Sequence, residues 1–331
     1  MKTEVLAVDA RDPDPAAVRR AAGVLQGGGL VAFPTETVYG LGADGLDCEA
    51  VARIFAAKGR PATNPLILHV TGAAQSRELV ADWPAAAAAL AERFWPGPLT
   101  IVLPKRSIVP DAATAGGPTV AVRCPAHPVA MALMRAAGVP VAAPSANRST
   151  RLSPTCAEHV LRGLGGRIEM VLDAGPTSGG IESTVLDLAS DAPRLLRPGI
   201  VSTAEIEAVI GPVQRGPAGA GVPLRSPGML RRHYAPRTPL ECVDSEEQAA
   251  VAAARDGGRV VLLTLGGAPQ VPGSPTVVAM PQTPHAYAAR LYATLHALDD
   301  GGYDRIMVVL PPETEDWLAV RDRLRRAAAD P

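Results

Sequence analysis

Aromatic side chains are scarce in this 331-residue sequence, where Phe, Tyr and Trp together make up 3%. Its cores must therefore be built from Ala, Val, Leu and Ile, and it has few of the stacking platforms that hold single-stranded nucleic acid. Only four cysteines occur, Cys48, Cys124, Cys156 and Cys242, with no Cys-x-x-Cys among them, which excludes a zinc knuckle and a disulfide framework. Free, partly buried thiols in a reducing cytoplasm are expected. Net charge is nearly absent at −1, so no whole-protein basic field exists to hold a nucleic acid backbone, and only a local patch with weak RNA binding is left open. No apolar run follows the N-terminal Met-Lys-Thr-Glu, so neither a signal peptide nor a membrane span is expected. Also missing are Gly-x-Ser-x-Gly, His-Glu-x-x-His and a phosphate-binding loop ending in Gly-Lys-Ser or Gly-Lys-Thr.

What is present is the balance of a globular protein, 47% hydrophobic and 20% charged, with length for about two domains. Residues 1–211 read as a mixed α/β domain. Its helices are expected at Ala16–Leu25, after Asp47 up to Lys58, at Ala85–Phe94, Val129–Ala137 and Ser202–Ile210. Its strands are expected at Leu30–Phe33, Leu66–Val70, Leu99–Leu103, Thr119–Arg123, Val139–Ala143, Ile168–Leu172, Ser183–Leu188 and Arg194–Leu196. Ser153-Pro154 reads as a helix start, with a capping hydroxyl followed by proline at the first helical position. Residues 212–239 are rich in Gly and Pro and read as a linker, yet end in Arg231-Arg232-His233-Tyr234, too cationic and aromatic for a plain spacer. Residues 240–331 alternate helix and strand, as in a small Rossmann-like parallel α/β domain.

Polar residues gather at the strand ends. Gly40-Leu41-Gly42-Ala43-Asp44-Gly45 fits the dinucleotide pattern, but no acidic residue follows about 20 positions later, so these glycines read as a tight turn. A nicotinamide dehydrogenase is correspondingly disfavoured. Lys58 and Arg60 stand at a helix end, where they either complement the helix dipole or offer a point charge and a fork to an anion. His69 lies in an apolar strand. Arg123 ends one, where a buried guanidinium is costly without an anion; a ligand carboxylate is one candidate, and Glu36 or Glu182 the structural alternative. Ser145, Asn147, Ser153, Ser183 and Arg197 add hydroxyls, an amide and a cation at further strand ends, which together suit a small anionic ligand. With no nucleophile and base in pairing distance along the chain, the chemistry is expected to rest on positioning and charge neutralisation, as in phosphoryl or nucleotidyl transfer.

Taken in order, several motifs resemble the threonylcarbamoyl-AMP synthase family in its long form, a YrdC-type domain with a C-terminal extension. They are Pro34-Thr35-Glu36-Thr37-Val38-Tyr39-Gly40-Leu41, Lys58 to Leu66, Phe94-Trp95-Pro96-Gly97-Pro98-Leu99-Thr100, Val122-Arg123, Pro144 to Asn147, Ser153-Pro154-Thr155, Glu182-Ser183-Thr184, Leu196-Arg197-Pro198-Gly199 and His233-Tyr234-Ala235-Pro236. The resemblance implies a twisted mixed sheet flanked by helices. It also implies a cytoplasmic nucleotidyltransferase that joins L-threonine, bicarbonate or CO2, and ATP into threonylcarbamoyl-AMP and pyrophosphate. Downstream tRNA threonylcarbamoyl-transferase proteins would use the product.

On that pattern L-threonine would meet Thr37, His69, Arg123, Ser183 and the backbone of Ala143. ATP would meet Lys58, Arg60, Asn64, Thr119, Ser145, Ser153, Arg197 and His233, with Lys58 and Arg60 also the electrostatic catalysts. Mg²⁺ would travel with the triphosphate and need no carboxylate cage, and the segment around His233 and Tyr234 would close over the site. The sequence departs from the pattern at Arg148-Ser149-Thr150-Arg151, where the family more often has a Ser-Gly pair. A non-catalytic double-stranded RNA-binding module is the competing reading.

Overall fold

A computed structural model describes residues 2–215, 232–245, 248, 258–267 and 276–329. The chain forms two compact units, one of Met1–Ser149 with Ser153–Met229 and one of Thr150–Leu152 with Leu230–Pro331. Residues 216–231 of the expected linker, and all of the expected helix Ser245–Arg255 but Ser245 and Gln248, lie outside the described residues.

In the first unit the strands are β1 (Glu4–Ala7), β2 (Val31–Phe33), β3 (Gly40–Asp44), β4 (Ile67–His69), β5 (Leu99–Pro104), β6 (Thr119–Arg123), β7 (Val141–Ala142), β8 (Met170–Asp173), β9 (Thr184–Asp187) and β10 (Arg194–Arg197). They make one mixed sheet in the order β1-β8-β2-β3-β7-β4-β6-β5-β9-β10. The central strands β2, β4 and β6 are buried at every residue, as strands covered on both faces must be. The helices are α1 (Pro15–Gln26), α2 (Cys48–Lys58), α3 (Ala73–Leu79), α4 (Ala85–Phe94), α5 (Asp111–Thr114), α6 (Pro128–Ala137), α7 (Ala157–Leu164) and α8 (Thr203–Ile210).

Local chemistry sets several of these boundaries. Asp47 caps α2 by accepting from the N–H groups of Glu49 and Ala50, and Val51 and Ile54 form its buried face. The helix ends because Gly59 takes the left-handed conformation, φ 60°, so that the Arg60 N–H reaches the Phe55 carbonyl at 3.0 Å. That stop delivers Lys58, on the last turn, to the protein interior.

Two expectations fail, and one strand was not expected. The glycine stretch is not a turn: Gly40–Asp44 is a strand, antiparallel to β2 with Val31 opposite Gly42 and Phe33 opposite Gly40. Glycine is required there for packing, since a Cβ on Gly42 would lie 2.8 Å from Phe33 Cε1 and 3.0 Å from Val141 Cγ1. Ser153-Pro154 starts no helix, because Pro154 and Thr155 are held extended by the Tyr39 N–H on the Pro154 carbonyl (2.9 Å) and the Thr177 N–H on the Thr155 carbonyl (2.9 Å). Helix α7 follows only after Cys156. Finally β1, absent from the sequence reading, pairs in parallel with β8 through alternating half-buried and exposed residues, too short and too mixed to stand out.

The second unit holds a four-stranded sheet, β11 (Leu240–Val243), β12 (Val260–Leu265), β13 (Thr276–Met280) and β14 (Arg305–Val309), in the order β11-β14-β12-β13 with every pair parallel. Its described helices are Pro284–Asp300 and Leu318–Ala328. His233 and Tyr234 pack within this unit. Their rings stand edge to face at 4.0 Å, the His233 N–H reaches the Arg326 carbonyl at 3.2 Å, and the buried Arg323 guanidinium lies 5.0 Å from the Tyr234 ring centre. The Ala235 N–H bonds the Thr150 carbonyl at 2.9 Å, which accounts for residues 150–152 belonging to this unit.

The packing at β3 has a measurable consequence. Gly42→Ala is expected to lower unfolding free energy by about 1–3 kcal/mol through overpacking, read from the urea midpoint. Gly23→Ala, inside α1 with nothing within 4 Å of a new Cβ, is expected to raise it by about 0.5–1 kcal/mol through helix propensity alone. Equal shifts in the two variants would contradict the assignment of Gly42 to close strand packing.

Candidate active site

The strand register gathers the polar residues. In the parallel pair β4–β6, His69 stands directly opposite Arg123, and β7 brings Val141 opposite His69 from the other side. Strand β5 runs antiparallel to β6 and parallel to β9, so Ser183, just before Thr184, falls at the same end of the sheet as Arg123. Continuing from β7, the Ala143 N–H bonds the Ile67 carbonyl at 3.0 Å, and the chain runs on to Ser145, which bridges Gly40. Thr119 begins β6 four residues from Arg123, roughly 13 Å along the strand.

Arg123 is 4% exposed. Its Nε donates to the Gly97 carbonyl at 3.3 Å, and its Nη2 lies 2.7 Å from Glu36 Oε1. That second contact is ionic without hydrogen-bond geometry, and both buried carboxylate oxygens of Glu36 lack a hydrogen-bond partner. Of the two structural anions considered for Arg123, Glu36 is therefore the one in place. Glu182 instead accepts from Ser153 Oγ at 2.5 Å. Beside Arg123, burial first and the guanidinium second push His69 down from 6.5 to about 3, so its imidazole is neutral, and its Nδ1 has no hydrogen-bond partner. Thr37 Oγ1 pairs with Thr35 Oγ1 at 2.7 Å, and the Gly180 N–H bonds the Thr37 carbonyl at 3.0 Å, drawing the segment before Glu182 against it.

The residues expected around ATP fall into two groups. Lys58, Arg60, Asn64, Ser145 and Thr119 gather where β4 and β6 begin. Lys58 is fully buried, and its Nζ donates to the carbonyl of Ser145 at 2.6 Å and, at shorter range, to that of Asn147. Burial, then Arg60, holds its pKa well below the ordinary lysine value. Arg60 donates from Nε to the Asn64 carbonyl at 2.9 Å and from Nη2 to that of Pro65 at 2.7 Å. Both cations therefore shape loops by binding carbonyls. Asn64 is wholly buried, and neither atom of its side-chain amide has a partner.

The second group stands with the threonine set. Arg197 donates through Nε (3.1 Å) and Nη2 (2.9 Å) to the Ser183 carbonyl and through Nη2 to Ser183 Oγ (3.1 Å), while Ser153 holds Glu182. Thr100, which closes one of the family motifs but carried no expected role, completes this corner by pairing with Ser183 Oγ at 2.8 Å. Its position inside an apolar strand gave no signal of a polar role. His233 lies in the second unit, as described above. A separate open cavity of about 400 Å³, lined by Thr71, Arg77, Trp83, Trp95 and Cys124 among others, contains none of the expected site residues.

His69 makes the site's stability depend on pH. Its folded value lies below its ordinary one, so between about pH 6.5 and 3 the unfolded chain binds the extra proton and stability falls as pH falls. Against His69→Gln, the protein is expected to lose up to about 1.4 kcal/mol more unfolding free energy per pH unit in that window. Parallel pH–stability curves from urea titrations would show that His69 is not held neutral.

Comparison with known proteins gives the family. Residues 23–199 match a family model described as telomere recombination, covering the Sua5, YciO and YrdC proteins, and residues 201–329 match the threonylcarbamoyl-AMP synthase C-terminal domain. A Bacillus subtilis threonylcarbamoyl-AMP synthase is 44% identical, with 99% of this chain and 98% of the relative covered. One from Pyrococcus abyssi is also 44% identical, with 94% of each covered. The crystal structure of P. abyssi Sua5 complexed with L-threonine superposes with a TM-score of 0.91 at 42% identity, covering 98% of both chains. These relatives carry the name of a catalyst and lend no support to a non-catalytic RNA-binding module. The chain belongs to the threonylcarbamoyl-AMP synthase family.

Proposed function

We propose that this chain forms L-threonylcarbamoyl-AMP and pyrophosphate from L-threonine, bicarbonate or CO2, and ATP. The product would supply the N6-threonylcarbamoyladenosine modification of tRNA through separate transferase proteins. The observation that carries this reading is a set of buried polar atoms without protein partners at the two ends of β4 and β6: Nδ1 of His69 at one, both amide atoms of Asn64 at the other. Buried polar groups are hydrogen-bonded as a rule, so such atoms mark where a ligand completes the structure.

At the His69 end, Arg123 takes the threonine carboxylate by charge-assisted hydrogen bonds, and the neutral imidazole of His69, Thr37, Ser183 and the Ala143 backbone orient the rest of the amino acid. At the Asn64 end, the Asn64 amide, Ser145, Thr119 and the loops shaped by Lys58 and Arg60 receive ATP. Arg197 and Ser153, held beside Ser183 and Glu182, are the expected ATP contacts that lie with the threonine set. The amine captures CO2 as a carbamate, and a carbamate oxygen attacks the α-phosphorus, expelling pyrophosphate. Neither step needs a protein nucleophile, so rate enhancement comes from alignment and charge neutralisation. Mg²⁺ arrives as part of the nucleotide substrate, coordinated by its phosphates. No described helix is long and apolar enough to cross a membrane; use of ATP and a product destined for tRNA-modifying proteins fit a cytoplasmic location.

Purified protein is expected to release pyrophosphate only when ATP, threonine and bicarbonate are all present; release indifferent to threonine sinks the proposal. Arg123→Ala is expected to raise the KM for threonine by about 10²–10³-fold with little change for ATP, and Asn64→Ala to do the reverse in direction. Equal losses for both substrates in each variant would refute the division between the two ends.

A further inference from the structure

The mechanism leaves one charged group of the site without a task. Glu36 presents its carboxylate to Arg123, with Oε1 2.7 Å from Nη2, yet neither buried oxygen makes a hydrogen bond. Its backbone is fixed, since its carbonyl accepts from the Gly179 N–H at 2.8 Å and from Ser178 Oγ at 3.3 Å. A carboxylate held out of water with its lone pairs unspent is costly, and one ion pair does not offset that cost.

The chemistry of the substrate supplies a reason. An α-amino acid at neutral pH is a zwitterion whose carboxylate and ammonium are a few ångströms apart, and Arg123 and Glu36 form a matching pair of opposite charges in contact. An ammonium is no nucleophile, so the reaction needs a group that takes its proton. We infer that Glu36 binds the threonine ammonium and accepts its proton, with Arg123 released from Glu36 to hold the carboxylate. In this step an N–H bond of the ammonium breaks, the proton passes to a Glu36 oxygen, and the freed electron pair forms the C–N bond with CO2. Glu36 releases that proton to solvent and then takes the second, which the nitrogen sheds as the carbamate forms. This inference rests on the proposed reaction.

The surrounding titratable groups leave Glu36 as the acceptor. His69 faces Arg123 on the neighbouring strand, and burial with that guanidinium disfavours its protonated form, since a proton there would set two cations side by side. His127 is lowered by burial, against the pull of Glu36, and its Nδ1 already accepts the Val129 N–H at 3.2 Å as the cap of α6. Cys124 is raised to about 11, by burial first and Glu36 second, and stays a thiol. Arg123 is permanently charged.

The test uses the full chain with Glu36→Gln, which keeps the shape and removes the charge and the basicity, and with Glu36→Asp. Calorimetry with L-threonine and with 2,3-dihydroxybutyrate, which lacks the ammonium, reads the binding role. Pyrophosphate release from pH 6.5 to 9.5 reads the proton transfer. In Glu36→Gln, threonine affinity is expected to fall at least tenfold while the deaminated analogue binds as well as or better than before. The kcat is expected to fall about 10²-fold or more at pH 7 and to recover as rising pH deprotonates the amine in solution, with Glu36→Asp intermediate. Undiminished threonine affinity and a parallel pH–rate profile in Glu36→Gln would overturn the inference. So would tighter threonine binding, which would make Glu36 a mere stand-in for the substrate carboxylate. Binding of the deaminated analogue certifies that the variant's site is folded. Wild-type release that ignores threonine overturns the proposed reaction instead, before Glu36 is in question.

Discussion

A guanidinium at the end of a buried strand is costly unless its charge and donors are met, and Arg123 is placed there by the register of β4, β5 and β6. The contact with Glu36 meets that need by charge alone, leaving hydrogen-bonding capacity unspent on the carboxylate. Much of the site follows from this. The same guanidinium helps keep His69 neutral, and the turn that carries Glu36 is tied to Gly179 and Gly180, which lead into Glu182 and Ser183. An incompletely satisfied ion pair at the centre of the site suits a zwitterionic ligand better than it suits a rigid core.

The other buried cations are handled differently. Lys58 and Arg60 spend their donors on backbone carbonyls of Ser145, Asn147, Asn64 and Pro65, which turns two exposed-looking charges into struts for the loops on either side of β4. Arg197 does the same for Ser183. The cations near the proposed nucleotide end thus act largely by shaping the backbone around it, and the unpartnered Asn64 amide is the group there most directly presented to a ligand.

Much of this was legible in the chain. The α2 cap at Asp47, its end at Gly59, the core strands and the set of strand-end polar residues all follow from periodicity and capping chemistry, since these are local signals. The parallel C-terminal sheet was legible from the alternation of its elements. What escaped depended on distant partners. Gly40–Asp44 reads as a turn because its glycines lack side chains, and only Phe33 and Val141 packing over Gly42 explain why a strand carries them. Ser153-Pro154 has the local chemistry of a helix start, but hydrogen bonds from Tyr39 and Thr177 hold the segment extended. The choice between Glu36 and Glu182 for Arg123 likewise required the fold, because Ser153 claims Glu182.

The central claim is that the Arg123–Glu36 pair opens to receive an amino acid. A crystal structure of this chain with L-threonine bound tests it most directly. The account predicts the threonine carboxylate on Arg123, the Glu36 carboxylate moved from Nη2 to hydrogen-bond the ammonium, and His69 Nδ1 or its ring neighbours in contact with the ligand. Threonine bound elsewhere, with the Arg123–Glu36 contact of 2.7 Å intact, would contradict it.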